Sequence, residues 1–243
     1  MLLEVEKVSK SFGGLQALNN VSFTVEAGKT IGLIGPNGSG KSTLFNVITG
    51  TIPASSGNIH FKGKNITKLS APGVSRRGIG RTFQAVRPFM HMSVLENVKV
   101  ACLYGHSSIR WPHMAERKAF EILELVHLKD QARVPAADLN VMSRKWLEMA
   151  RALATDPTLL LLDEFMAGLN PSEVQESVEF VKWLKDMGIT VIVVEHIMKA
   201  IMSCSDRVIV LNAGQKIAEG LPADIVRDPV VIRAYLGPDY VET

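Results

Sequence analysis

Residues 35–43 read GPNGSGKST, and no other stretch constrains the chain as tightly. Gly35, four intervening residues, then Gly40, Lys41 and Ser42 complete the phosphate-binding loop pattern. Its glycines let the backbone turn back through positive φ, which aims successive N–H groups at phosphate oxygens. The candidate cradle is the whole loop: Gly35, Pro36, Asn37, Gly38, Ser39, Gly40, Lys41, Ser42 and Thr43. Lys41 offers a point charge to the outer phosphates, and Ser42 offers a hydroxyl to Mg²⁺. A glycine-rich turn can fit such a pattern by chance. Here an apolar strand at 30–34 precedes the loop, and 44–49 follows as a helix that Gly50 stops. A helix start near Lys41 adds its positive dipole end to the cradle.

The strands around this unit are of two kinds. Residues 2–7 and 17–26 alternate apolar and polar side chains, as antiparallel strands with one wet face do. Residues 58–61, with a turn at 62–64, suggest another edge hairpin. Residues 158–162 and 189–194 are continuous apolar runs, typical of parallel strands covered on both faces. Between them SEVQESVEFVKWLKDMG puts Val174, Val178, Val181 and Leu184 on one helical stripe that ends at Gly188. From about 93 to 153 the period is helical, and Ala119, Ile122, Leu123 and Val126 share a face. Residues 207–218 form a late hairpin turning at 212–214, and two short helices close the chain. The expected fold class is α/β: a parallel core interrupted by a helical insertion. As a single domain over 1–243 it divides into a core of 1–88 and 155–220, a helical subdomain of 89–154 and a helical tail of 221–243.

Composition sets limits on partners and place. The net charge of +3 is mild and the basic residues are spread along the chain, which argues against a nucleic-acid binder. The Arg76–Arg77 pair reads as a solvated helix end. No apolar run approaches the roughly 18 residues needed to span a bilayer. Glu4 and Glu6 fall where a secretory signal would be apolar. Cys102 and Cys204 lack metal-ligand spacing and read as core thiols of a reducing compartment. The expectation is a soluble cytoplasmic protein that reaches a membrane only through partners.

The run TLLLLDE ends an apolar strand in two carboxylates, Asp163 and Glu164. Open α/β sheets bind ligands at the carboxyl ends of their strands. There Asp163 would hold the Mg²⁺ shell, and Glu164 would orient and polarise an attacking water. The alternative is an acidic strand end capping the next helix. Downstream of an intact phosphate loop, the catalytic reading is preferred.

With these motifs the chain resembles an ATP-binding subunit of an ABC transporter, from about residue 3 to 236. The resemblance implies a P-loop NTPase (RecA-like) core with an antiparallel β subdomain and an inserted α-helical subdomain, using ATP and Mg²⁺. KSFGG places Phe12 where that family stacks adenine. GPNGSGKST is its Walker A loop, and RTFQ brings Gln84, its metal- and water-contacting glutamine. LLLLDE is Walker B, AGLN (167–170) the D-loop, and VEH carries His196, the switch histidine, 32 residues beyond Glu164. RRGIGRTFQAVRPFMHMSVLENV, EHIMKAIMSCSDRVIVLNAGQKIAEG and the tail IRAYLG are similar to the ATPases of branched-chain amino acid importers. The lipopolysaccharide-export ATPase has a similar tail but a different glutamine loop. Soluble ABC proteins of DNA repair or translation carry two cassettes or a long coiled-coil insertion, and neither is seen. The family implies a second ATPase subunit, identical or different, and membrane permease subunits docked on roughly 84–101. A periplasmic or extracellular solute-binding protein would take part indirectly, and the ATPase would sit on the inner face of the membrane.

One motif departs from the family. Where relatives read close to LSGGQ, this chain reads LNVMS: Asn140 for the serine, Val141 and Met142 for the glycines, Ser143 for the glutamine. The signature normally brings a helix N-terminus to the γ-phosphate held by the partner subunit. Val141 and Met142 put side chains where backbone should touch ligand, and a β-branched residue tolerates positive φ badly. Phe165 and Met166 also replace a proline and a small residue, so an aromatic beside Glu164 is placed to shift the D-loop. The expectation is a chain that binds ATP and hydrolyses it against an intact partner signature, but completes the partner's site poorly. A non-catalytic regulatory subunit is the competing reading: LNVMS favours it, while Glu164 and His196 oppose it.

Overall fold

A computed structural model of the chain describes residues 1–83 and 87–236. In chain order, β1 (Leu3–Phe12) and β2 (Leu15–Val25) form a hairpin, and β3 (Thr30–Ile34) leads into α1 (Lys41–Ile48). A second hairpin joins β4 (Ser56–Phe61) to β5 (Lys64–Asn65). Next come α2 (Ala71–Ser75), β6 (Ile79–Arg81), α3 (Val94–Tyr104), α4 (Pro112–Leu125), α5 (Val141–Ala154) and β7 (Leu159–Asp163). The chain continues through α6 (Pro171–Asp186), β8 (Thr190–Val194), α7 (Met198–Cys204), β9 (Arg207–Asn212) and β10 (Gln215–Gly220). It ends in α8 (Pro222–Ile225) and α9 (Pro229–Leu236). Two compact units result, one of Met1–Ala71 with the chain from Met166 onward, the other Pro72–Phe165.

The first unit holds two kinds of strand, as the sequence pattern demands. β1 lies between antiparallel β2 and β4, with Leu3, Val5 and Val8 buried and Glu4, Glu6 and Lys7 turned toward water or the rim. The hairpin runs further than the apolar alternation predicts, because its outer rungs pair Ser11 with Gln16 and Phe12 with Leu15. By contrast β3 is flanked by parallel β8 and β9, and every residue of β3 and β8 is buried. Gly32 pairs with both Val193 and Val208. A Cβ there would fall 2.6 Å from Ile201 Cγ2, so only glycine lets α7 lie this close to the strand. Ile34, Ile201, Val208, Val210, Ile225 and Val231 make one cluster on this side. Each buried aliphatic side chain of this kind stabilises the fold by about 1.5–3 kcal/mol. α6 buries Val178, Val181 and Leu184, three of the four residues on its expected stripe.

The second unit pairs β6 with β7 in parallel, Ile79 opposite Leu159 and Arg81 opposite Leu161. Its helical part carries α3, which packs on both α4 and α5. A capping box starts α3: Ser93 Oγ accepts the Glu96 N–H, and the Glu96 carboxylate accepts the Ser93 N–H. Ala119, Ile122, Leu123 and Val126 are all buried, as their shared face requires. Arg76 and Arg77 are exposed just past α2. α2 and β6 go beyond the sequence-based expectation, since five and three residues are too few to display a period.

Cys102 and Cys204 are buried and free of disulfides, and burial pushes both thiols up to about 11. Among the described residues, no helix is long and apolar enough to cross a membrane.

Candidate nucleotide site

The phosphate loop leaves β3 at Ile34 and enters α1 at Lys41. Gly35, Gly38 and Gly40 have φ of 150°, 77° and 104°, which side chains rarely tolerate. Two of them are also sterically closed: a Cβ on Gly35 would lie 2.0 Å from the Leu211 carbonyl oxygen, and one on Gly40 2.7 Å from that of Ala17. α1 starts three residues before the apolar pattern, because its first turn is the polar KST of the loop. Lys41 is buried and its Nζ donates back to the carbonyls of Gly35 (2.7 Å) and Pro36 (3.0 Å). Asn37, Gly38 and Ser42 face water, Pro36 and Thr43 are half-buried, and Ser39 is buried with its Oγ lacking a hydrogen-bond partner. An orphaned buried hydroxyl in a loop of this kind suits phosphate oxygens.

The same unit carries two more predicted site positions, Phe12 and His196. Phe12 ends β1 and is 48% exposed, and Lys10 Nζ stands 5.0 Å from the ring centre. His196 follows β8 and is exposed. Its neighbour Glu195 is buried and accepts the Met166 N–H at 2.5 Å, which ties the start of the D-loop to the residue before the histidine. From the far end of the chain, Tyr235 on α9 comes to Gly35: burial raises its phenol, and the Gly35 N–H donated to it acts the other way.

The carboxylates belong to the other unit. β7 ends at Asp163, whose N–H donates to Thr82 Oγ1 (3.2 Å) and whose Oδ2 accepts from Arg81 Nη2 (2.7 Å). Oδ1 is buried with no hydrogen-bond partner. A buried carboxylate oxygen without a donor fits the shell of a hard cation such as Mg²⁺. Glu164 is half-buried at φ 51°, a left-handed conformation that costs a non-glycine residue about 1–2 kcal/mol. Strain of this kind gathers at functional sites. Phe165 is buried edge-on against Trp146, ring centres 5.2 Å apart, and its carbonyl accepts from Lys145 Nζ at 2.9 Å. The aromatic in place of proline is therefore packed on α5.

That helix also carries residues 140–143, where the sequence reading expects the signature. Asn140 is its N-cap, Oδ1 accepting the Ser143 N–H at 2.7 Å. Val141 is 71% exposed on the first turn, and Met142 is half-buried. Neither has positive φ, so the objection to a β-branched residue on backbone grounds does not apply here. The steric objection stands, because both side chains occupy the helix start.

Gln84 lies outside the described residues, but its flanks are held from α5. The Glu148 carboxylate accepts the Phe83 N–H and pairs with Arg151 at 2.8 Å. Arg151 donates to the Arg87 carbonyl (3.1 Å) and stacks 5.2 Å from the Phe89 ring centre. Asn97, fully buried, bonds both the N–H and the carbonyl of Phe89. Sequence reasoning missed Arg81, Thr82, Glu148, Arg151 and Tyr235. Arg81, Thr82 and Tyr235 stand inside quoted motifs, yet no spacing rule says what a side chain meets across the fold.

Comparison with known proteins places this arrangement. A family model described as ABC transporter matches residues 18–167, and one described as branched-chain amino acid ATP-binding cassette transporter matches residues 215–237. The high-affinity branched-chain amino acid transport ATP-binding protein BraF of Pseudomonas aeruginosa is 39% identical over 97% of this chain and 98% of its own length. The probable branched-chain amino acid transport ATP-binding protein LivG of Archaeoglobus fulgidus is 41% identical over 97% of this chain and 95% of its own. Among solved structures, a nucleotide-free ATP-binding cassette from an ABC transporter superposes with a TM-score of 0.88 at 35% identity, covering 97% of this chain and 99% of that one. The ADP conformation of an ABC transporter cassette gives 0.87, also at 35% identity, over 97% and 98%. With a phosphate loop of this geometry and relatives matched over nearly their whole length, the chain belongs to the ABC transporter ATPase family.

Proposed function

We propose that this chain is the ATP-hydrolysing subunit of an importer for branched-chain amino acids or a similar small solute. The phosphate loop carries the reading: three glycines at positive φ, two of them with no room for a side chain, and a buried lysine arched across the loop. In this reading Phe12 stacks the adenine, and residues 35–43 hold the phosphates, with Lys41 giving positive charge. Mg²⁺ would be held by Ser42, Gln84 and the unpartnered oxygen of Asp163, and would neutralise charge developing on the phosphates. Glu164 orients the attacking water, and His196 and Gln84 contact the γ-phosphate and that water. The names of the curated relatives and the match over residues 215–237 support the solute class.

The signature supports an unequal pair. A second ATPase subunit, carrying an intact signature, completes the site that holds this chain's Walker A. This chain's Asn140, Val141, Met142 and Ser143 complete the other site poorly. Losing one preorganised donor costs about 10²- to 10³-fold in rate, and two intruding side chains should cost no less. Permease subunits dock on residues 84–101 at the inner membrane face, where Phe89 and Met90 are exposed and Val94 is core. A solute-binding protein acts from the far side. Uptake of labelled leucine, urea and an amide, in cells lacking this subunit and complemented with it, tests the reading. Leucine uptake should return with the unaltered chain and fail with Lys41→Ala, which should also lose ATP binding by calorimetry. Restored uptake with Lys41→Ala would overturn the assignment.

A further inference from the structure

The segment beside Walker B holds the Asp163 N–H and one carboxylate oxygen, and leaves the other oxygen bare. Thr82 Oγ1 accepts the N–H, and Arg81 Nη2 donates to Oδ2 at 2.7 Å. Oδ1 is buried without a partner. Arg81 and Asp163 are 7% and 4% exposed, so the contact is shielded from water. The guanidinium is fixed as well, since its centre stands 4.9 Å from the Phe83 ring centre. β6 and β7 set the distance: Arg81 pairs with Leu161, and the Thr82 N–H donates to the Leu161 carbonyl at 3.0 Å. The arginine then reaches two residues along β7 to the strand end.

We propose that Arg81 is a positioning residue for Mg²⁺: it pins one oxygen of Asp163 so that the other is presented alone to the metal shell. The inference rests on the reading of Asp163 as a Mg²⁺-shell carboxylate. A two-pronged arginine would occupy both oxygens and close the carboxylate to metal; here a single nitrogen holds one. Without Arg81 the carboxylate can rotate, and Oδ2 is left buried and unpaired. Mg²⁺ accepts only near-octahedral geometry, so loss of one fixed oxygen is felt directly. Partners that orient a metal ligand are worth about 10- to 100-fold in metal affinity. The competing account is a buried ion pair that only holds two strands together.

The experiment is a Mg²⁺ titration of the full chain binding a non-hydrolysable ATP analogue, with affinity measured by calorimetry. In the unaltered chain Mg²⁺ should tighten binding. Arg81→Met should raise the half-maximal Mg²⁺ concentration about 10- to 100-fold and leave the metal-free affinity as it was. Arg81→Lys, which keeps charge but not the planar fork, should fall between and serves if the methionine variant does not fold. Asp163→Asn should show the same shift, and Arg81→Met should add nothing in its background. A normal Mg²⁺ requirement in both arginine variants, with Asp163→Asn shifted, would overturn the positioning role and leave Asp163 as the ligand. A parallel loss of metal-free affinity would also overturn it, as a fold effect. An unshifted Asp163→Asn, or no Mg²⁺ effect in the unaltered chain, would remove the reading of Asp163 itself.

Discussion

Glu164 is held at φ 51°, where only glycine rests comfortably, yet glycine could not polarise a water. In the role proposed for Glu164, a functional side chain and a relaxed backbone are in conflict at this position. Relief of the left-handed strain is worth about 1–2 kcal/mol, and the extra freedom of an unfolded glycine gives back about 0.5–1. Glu164→Gly should therefore be more stable than Glu164→Gln by about 1 kcal/mol in urea denaturation, while both lose ATP turnover. A glycine variant no more stable than the glutamine variant would mean that side-chain contacts of Glu164 outweigh its backbone strain. Single residues such as this were legible in the sequence to different degrees. GPNGSGKST and LLLLDE announce themselves, because contiguous residues share one local job. Arg81 does not, since its partner Asp163 is 82 positions away and only the parallel register of β6 and β7 brings them together. The positive φ of Glu164 was equally hidden, because a strand-ending DE says nothing of the turn that follows it.

Helix α5 joins three parts of the machinery within one unit. Its N-cap is Asn140 of the signature, its second turn holds Phe165 through Lys145 and Trp146, and Glu148 with Arg151 holds the flanks of Gln84. Burial pushes the Glu148 carboxyl above its ordinary 4.5, with Arg151 and the Phe83 N–H acting in opposition. The folded state then binds this proton more tightly than the unfolded chain does. Its stabilising contribution is full below pH 4.5 and is lost as pH rises through the folded value. Thermal melts of the unaltered chain and Glu148→Gln between pH 4 and 8 isolate this group. The difference should move in favour of the glutamine variant as pH rises from about 4.5, whatever its constant offset from the lost ion pair. A difference that moves the other way would show that Arg151 and the Phe83 N–H outweigh burial. At this scale the long elements were legible, since stripes such as Val178, Val181 and Leu184 follow from period alone. The short β6 was not, although it positions both Arg81 and the entry to Gln84. Nor could period reveal that Asn140 caps α5 without any positive φ, which leaves the objection to Val141 and Met142 purely steric.

At the scale of the working molecule, the proposed pair has each signature face the nucleotide of another copy or of a different subunit. Val141 is 71% exposed at the start of α5, so a γ-phosphate approaching that helix end meets a branched side chain before it meets backbone. Asn140 Oδ1 already takes the Ser143 N–H, which leaves fewer donors for an anion there. Two copies of this chain would form two such sites, while a pair with an intact-signature subunit would form one good site and one poor one. The purified chain alone should therefore bind ATP yet turn it over about 10²- to 10³-fold more slowly than the mixed pair. Restoring the motif with Asn140→Ser, Val141→Gly, Met142→Gly and Ser143→Gln should raise the rate of the chain alone. In the mixed pair, Glu164→Gln in this chain should remove most of the activity, because its Glu164 serves the site that the partner's intact signature closes. Steady-state phosphate release decides the matter. Brisk hydrolysis by the unaltered chain alone, unchanged when the glycines return, would mean that the start of α5 reaches the phosphate past Val141 and that the two sites are equal.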